Sequence, residues 1–170
     1  MQRRRGNLRD VLLSGAALAA LAASGGAVLA QPPKPLVIDA AAPPATPVQI
    51  DPRYVYTSIV VGQNNPNQLA GVSGNILALN TMTLGQNATS TGNQVTVASG
   101  GTFQFARTDS FGNHAAVPNS TFVIENGGLL QNTGATFNTL RNVTLGGGEL
   151  RANQGANATF QAFQIKGTVT

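Results

Sequence analysis

The 170-residue sequence predicts an all-β fold, a parallel β-solenoid whose coils stack one on the next, and two observations lead there. One is a short unit that recurs: "VTVASGGTFQF" from Val95, "FVIENGGLLQN" from Phe122, "VTLGGGELRAN" from Val143 and "FQIKGTVT" from Phe163. Each opens on an apolar, any, apolar triplet, meets glycine and returns to an apolar residue. The openings are separated by 27, 21 and 20 residues by subtraction, which is the length of a solenoid coil and not of a helical repeat. The other is a missing period: from residue 55 onward no window keeps apolar residues at i, i+3, i+4 and i+7 for three turns without Gly or Asn intervening.

If coils stack, aligned positions form inward columns. Three are expected: Val95/Phe122/Val143/Phe163, Val97/Ile124/Leu145/Ile165 and Phe103/Leu130/Leu150/Val169, all apolar. Thr96, Val123, Thr144 and Gln164 fall between the first two columns and should face outward, because successive strand side chains alternate. Two earlier pairs, Leu77/Leu79 and Ile59/Val61, extend the series upstream. A sandwich of antiparallel hairpins also uses short strands, but its Asn-Gly loops belong between neighbouring strands. Here Asn126-Gly127 lies inside the repeating unit, where its counterparts are Ser99-Gly100 and Gly146-Gly147. The glycines are therefore expected at a corner between two strands of one coil. "GGGELRA" lacks the Lys-Ser/Thr ending of a phosphate-binding loop.

The chain before the repeats divides in two. Arg3, Arg4, Arg5 and Arg9 precede the apolar run Val11–Ala23, and small residues lead to Val28 and Ala30, the layout of a helical secretory signal peptide over 1–30 cleaved between Ala30 and Gln31. The run is diluted by Ala and Gly, which disfavours a membrane anchor. Arg4 and Arg5 also touch on a twin-arginine signal, although Asn7 stands where an apolar residue belongs. Residues 31–53 are Pro- and Ala-rich and read as a disordered linker. Residues 54–170 hold the solenoid, most clearly over 95–170.

The formal charge of +4 resides at the N-terminus. Beyond residue 30, Lys34, Arg53, Arg107, Arg141, Arg151 and Lys166 face Asp39, Asp51, Asp109, Glu125 and Glu149, a near balance without a basic stripe, so nucleic acid is not expected as a partner. With no cysteine, an exported chain cannot draw on disulfides and must rely on backbone pairing and packing.

The run from Val95 to Thr170 resembles the β-strand repeats of bacterial autotransporter passenger domains. The resemblance implies an exported protein with a right-handed parallel β-helix, placed at the cell surface, in the outer membrane or outside the cell, and acting as a structural or adhesive stalk. It also implies a C-terminal membrane barrel, and the 170 residues are expected to stop at Thr170 inside a passenger repeat. A truncated reading frame, with the product left in the periplasm or without function, stays open beside a small finished protein. The expected partners are the export machinery, through the signal peptide, and surface glycans or other β-solenoid coils.

Catalysis is the competing class, since parallel β-helices also carry polysaccharide lyases and hydrolases. Glycoside hydrolysis usually needs two carboxylates across the sugar. Glu125 and Glu149 lie on neighbouring coils but in different registers, one before the glycines and one after. The segment Ala106–Ser120 gathers Arg107, Asp109, Ser110 and the only histidine, His114, and accounts for the 27-residue spacing. Asp109 and Ser110 are adjacent and no oxyanion motif accompanies them, while one His and one Asp fall short of a catalytic zinc set. No catalytic residue, metal ligand or cofactor site is assigned. Arg107, Asp109, Ser110 and His114 are kept as a projecting loop for partner contact. Asn87, Asn119, Asn142 and Asn157 each begin an N-x-S/T sequon, which an Asn- and Thr-rich chain produces by chance.

Overall fold

The computed structural model describes residues 31–108, 120–134, 138–152, 163–165 and 168–170, and for residues 107, 108, 138, 139 and 164 the backbone alone. These residues belong to one compact unit, Gln31–Thr170. Every strand pairing among them is parallel. A six-stranded sheet is built from β1 (Lys34–Ile38), β3 (Val55–Val61), β5 (Asn75–Leu84), β7 (Thr102–Thr108), β9 (Leu129–Asn132) and β12 (Glu149–Arg151), in that order. A five-stranded sheet is built from β2 (Val48–Gln49), β4 (Leu69–Val72), β6 (Gln94–Val97), β8 (Thr121–Glu125) and β11 (Asn142–Gly146). The chain alternates between these sheets as it advances, which is the topology of a β-solenoid. A third sheet pairs β10 (Asn138–Leu140) with β13 (Phe163–Ile165).

The expected columns hold as ladder pairs through three coils, although Leu145, expected inward, is 38% exposed where its column reaches β11. Val95 pairs with Phe122 and Phe122 with Val143; Val97 pairs with Ile124 and Ile124 with Leu145. Phe103 pairs with Leu130, and Leu130 with Leu150. The fourth member is displaced: Phe163 pairs with Asn138 and Ile165 with Leu140, while Val169 bridges Val143 instead of following Leu150. "FQI" stacks on "NTL" and not on "VTL".

The upstream assignment changes as well. The true predecessor of "VTVASGGTF" is "LAGVSGNI", in which Ala70 pairs with Val95, Val72 with Val97 and Ile76 with Phe103. Leu77 instead pairs with Gln104, and Leu79 is 44% exposed. Ile59 and Val61 do point inward, but in the other sheet, against Met82 and Leu84. Small residues hid the match, because Gly71 occupies an outward position where a Cβ would collide with the Gln49 amide. Coils also vary more than a fixed period of about 20 residues: Leu130 to Leu150 spans 20, Ile59 to Met82 spans 23 and Phe103 to Leu130 spans 27.

Residues 31–53 contain β1, paired with β3, and β2, paired with β4. Pro35 lies at a register irregularity between Lys34 and Leu36, a place where an edge strand accommodates proline. The Pro-rich stretch is thus a coil of the solenoid and not a linker.

The interior is apolar and aromatic. Phe103, Phe105, Phe122, Ile124 and Leu130 are fully or almost fully buried. Phe105 lies at the middle of the aromatic cluster, 5.4 Å from Phe103 edge to face, 6.3 Å from Phe122 stacked and 6.2 Å from Phe163 edge to face. In a chain without disulfides, these contacts and the parallel ladders supply the stabilisation.

Candidate functional site

Of the residues expected to contact a partner, Arg107 lies in β7, its backbone paired with Thr81. Asp109, Ser110 and His114 lie outside the described residues, as does Ala30, whereas Gln31 is exposed. Their segment joins β7 to β8, so it occupies the connection from the six-stranded to the five-stranded sheet. The same connection is described in the three preceding coils, after β1, β3 and β5, and it has an outer and an inner layer of polar groups.

The outer layer is a ladder of Asp and Asn. Asp39 Oδ1 accepts from the backbone N–H groups of Asn64 (2.9 Å) and Asn65 (2.8 Å), and Asn64 Nδ2 donates to Asp39 Oδ2. One coil further, Asn87 Nδ2 donates to Asn64 Oδ1 at 2.7 Å. Partial desolvation acts upward on Asp39, yet the N–H groups of Asn65 and Asn64 and the Asn64 amide together hold its carboxyl below the usual carboxylate range.

The inner layer is buried. Gln68, Ser90 and Asn93 are wholly inaccessible. Asn93 Oδ1 accepts from the Gln68 N–H at 2.9 Å, and its Nδ2 donates to the Ser90 carbonyl at 2.6 Å. The single Ser90 Oγ proton is shared between the carbonyls of Gly62 and Asn65, at 2.7 and 2.8 Å, while the Gln68 amide exchanges two bonds with the backbone of Ala40. A sharp corner frees backbone groups from the ladders, and these side chains satisfy them out of water. Replacing Asn93 with Ala strands the Gln68 N–H, with an expected loss of about 1–3 kcal/mol in chemical denaturation. A loss below the measurement error would show that water replaces the amide.

Two of the described carboxylates are held by arginines two residues away. Asp51 is bound by Arg53, with Nη2 at 2.6 Å, and Glu149 by Arg151 at 2.8 Å. Glu125 pairs with Gly146 in the five-stranded sheet and Glu149 with Leu129 in the six-stranded one. Hydrogen bonds from the Arg53 side chain, then from its backbone N–H, hold Asp51 at a pKa of about 2, below the ordinary 3.8. A depressed carboxylate favours the folded state above the ordinary value, and that contribution disappears as pH falls through about 2. In an NMR titration the Asp51 carboxyl should have its midpoint near about 2, and Arg53→Ala should return it toward 3.8. An unchanged midpoint would mean that the ion pair does not form in solution.

An open cleft of about 580 Å³ is lined by Thr57, Ser58, Leu79, Asn80, Thr81 and Ala106. It lies where the ladder slips in β3, between Tyr56 and Ser58, and in β5, between Ala78 and Thr81. Its lining residues are uncharged hydroxyl, amide and apolar groups, which suit neutral hydrogen-bonding contact. No motif announces it; the only sequence cue is that "NILALNTMTL" is too long for one straight, strictly alternating strand.

Fold and surfaces define the chain as a parallel β-solenoid. No protein-family model, curated protein or solved structure matches it.

Proposed function

We propose that the chain is an exported structural or adhesive β-solenoid module without catalysis of its own, the role implied by its resemblance to autotransporter passengers. The observation that supports this reading is the polar lacing of its outside from coil to coil. Gln104 Nε2 donates to Gln131 Oε1 at 3.2 Å on one face, and Asp39, Asn64 and Asn87 join successive coils at a corner. Such rows present amide and hydroxyl groups to water and to neutral, hydroxyl-rich partners such as surface glycans, or to the coils of another solenoid. The basic and apolar N-terminus serves as the export signal, and the working location is the bacterial surface or the medium.

Expression of the full chain in a Gram-negative host, followed by fractionation and N-terminal sequencing, tests the export step. The expected product begins at Gln31 and is found outside the cytoplasm; an intact chain retained in the cytoplasm overturns the proposal. The enzymatic alternative depends on Asp109 and His114. A polysaccharide-cleaving activity that disappears when both are replaced by Ala would displace the structural reading.

A further inference from the structure

The prolines of the first described coil are not scattered at random along its backbone. In a parallel pair, residues whose N–H and C=O face one neighbour alternate with residues that face the other side. The Gly62 N–H donates to the Ile38 carbonyl at 2.8 Å, which turns Ile38, and by alternation Leu36 and Lys34, toward β3. Pro33, Pro35 and Val37 then face away from the ladder. In the other sheet the Ile50 N–H donates to the Gly71 carbonyl at 2.9 Å, which turns Ile50 and Val48 toward β4 and leaves Pro47 and Gln49 facing away. Within β1 and β2 no proline occupies a ladder-facing position, and Pro35 and Pro47 stand where an N–H would point outward; Pro52, ladder-facing by the same count, lies in the turn that follows β2. Pro32 is ladder-facing by the same count, and β1 starts only after it, at Lys34.

We propose that this Pro-rich coil is a stop for the β-ladder, keeping a second copy of the chain from stacking onto that end of the solenoid. An edge strand with free donors is a template for another chain, and proline is one of the few residues that disarms it without disturbing the paired side. Side chains at this end would otherwise invite contact: Val37 is 50% exposed and Val48, in the inward column with Ala70, is 42% exposed. A copy added there would bind through unlike surfaces, a head-to-tail contact that does not close and grows into filaments. Removing the outward donors leaves that copy only part of the ladder it needs. The inference stands on backbone geometry and is independent of the export reading.

Sedimentation velocity of the purified full chain tests it across a range of concentrations. Pro35→Val combined with Pro47→Val restores two outward N–H groups and should shift the chain to concentration-dependent dimers and larger species. Pro43→Val combined with Pro44→Val, which removes as many prolines from the connection between β1 and β2, should sediment like the unaltered chain. A cooperatively folded edge variant that sediments unchanged, or a control variant that associates equally, overturns the proposal. The alternation itself is tested by adding proline. Val37→Pro, on the outward side, should keep the melting temperature of the parent, while Leu36→Pro, on the ladder side, should lower it; equal losses would remove the basis of the inference.

Discussion

Replacing Phe105 with Ala should cost about 3–5 kcal/mol, a large share of the roughly 5–15 kcal/mol that holds an ordinary domain together. Phe105 is wholly buried and contacts aromatic rings from three directions: Phe103 in its own strand, Phe122 on β8 and Phe163 on β13. Its removal deletes the transfer free energy of the ring, leaves a cavity bounded by relatively rigid rings, and removes aromatic pairs worth about 0.5–1.5 kcal/mol each. The location of the damage can be read too. Stability in a stacked array is close to a sum over neighbouring coils, so the loss should concentrate where β7 meets β8 and β9. Hydrogen exchange should speed up there before it does in β3 and β5. Leu79→Ala, at a site 44% exposed, should stay within about 0.5 kcal/mol of the parent. Comparable losses from the two substitutions would mean that the aromatic cluster is not the centre of the core.

The architecture was legible because alternation and glycine recur together. In "VTVASGGTFQF" and "FVIENGGLLQN" the inward residues, the corner and the next inward residue can all be counted, and the ladder pairs them as counted. Register was not legible where the corners change length. "FQI" and "VTL" have the same apolar pattern, and only the partners of Phe163 and Ile165 reveal that "FQI" belongs above Asn138 and Leu140. Proline misled for a different physical reason. The rule that it removes a donor is sound, but its consequence depends on which side of the strand the donor would face, and that side becomes known only from the ladder. The inner polar layer was hidden because Gln68, Ser90 and Asn93 read locally as turn residues. Their burial follows from coil stacking, which places one corner on another. Function was the least legible, since a solenoid is a scaffold on which unrelated activities are carried, and composition alone does not select one.

The glycine pairs lead to the second large effect. Three corners of the series, at Gly100-Gly101, Gly127-Gly128 and Gly147-Gly148, use two glycines for two unlike reasons. Gly100 has φ +75°, and a Cβ there would meet nothing within 4 Å, so its requirement is conformational. Gly128, the second of its pair, has no such φ, but a Cβ there would lie 2.6 Å from the Val97 carbonyl oxygen in the coil beside it and 3.1 Å from the carbonyls of Ala98 and Glu125. Those atoms are backbone, and they move only if the ladder opens. Gly100→Ala should therefore cost about 1–2 kcal/mol, the ordinary penalty for a left-handed residue. Gly128→Ala should cost at least as much as severe overpacking, about 3 kcal/mol, because it separates β8 from β6 where Val97 pairs with Ile124. Asparagine distinguishes the two causes, since it tolerates the left-handed region but still carries a Cβ. Gly100→Asn should recover part of the loss seen with Ala, and Gly128→Asn should recover none. If Asn rescued Gly128 as well, the close approach of coils would not be what requires glycine there. The second glycine, not the first, sets how closely one coil can lie on the next, and that spacing is what allows the parallel ladder to continue past each corner.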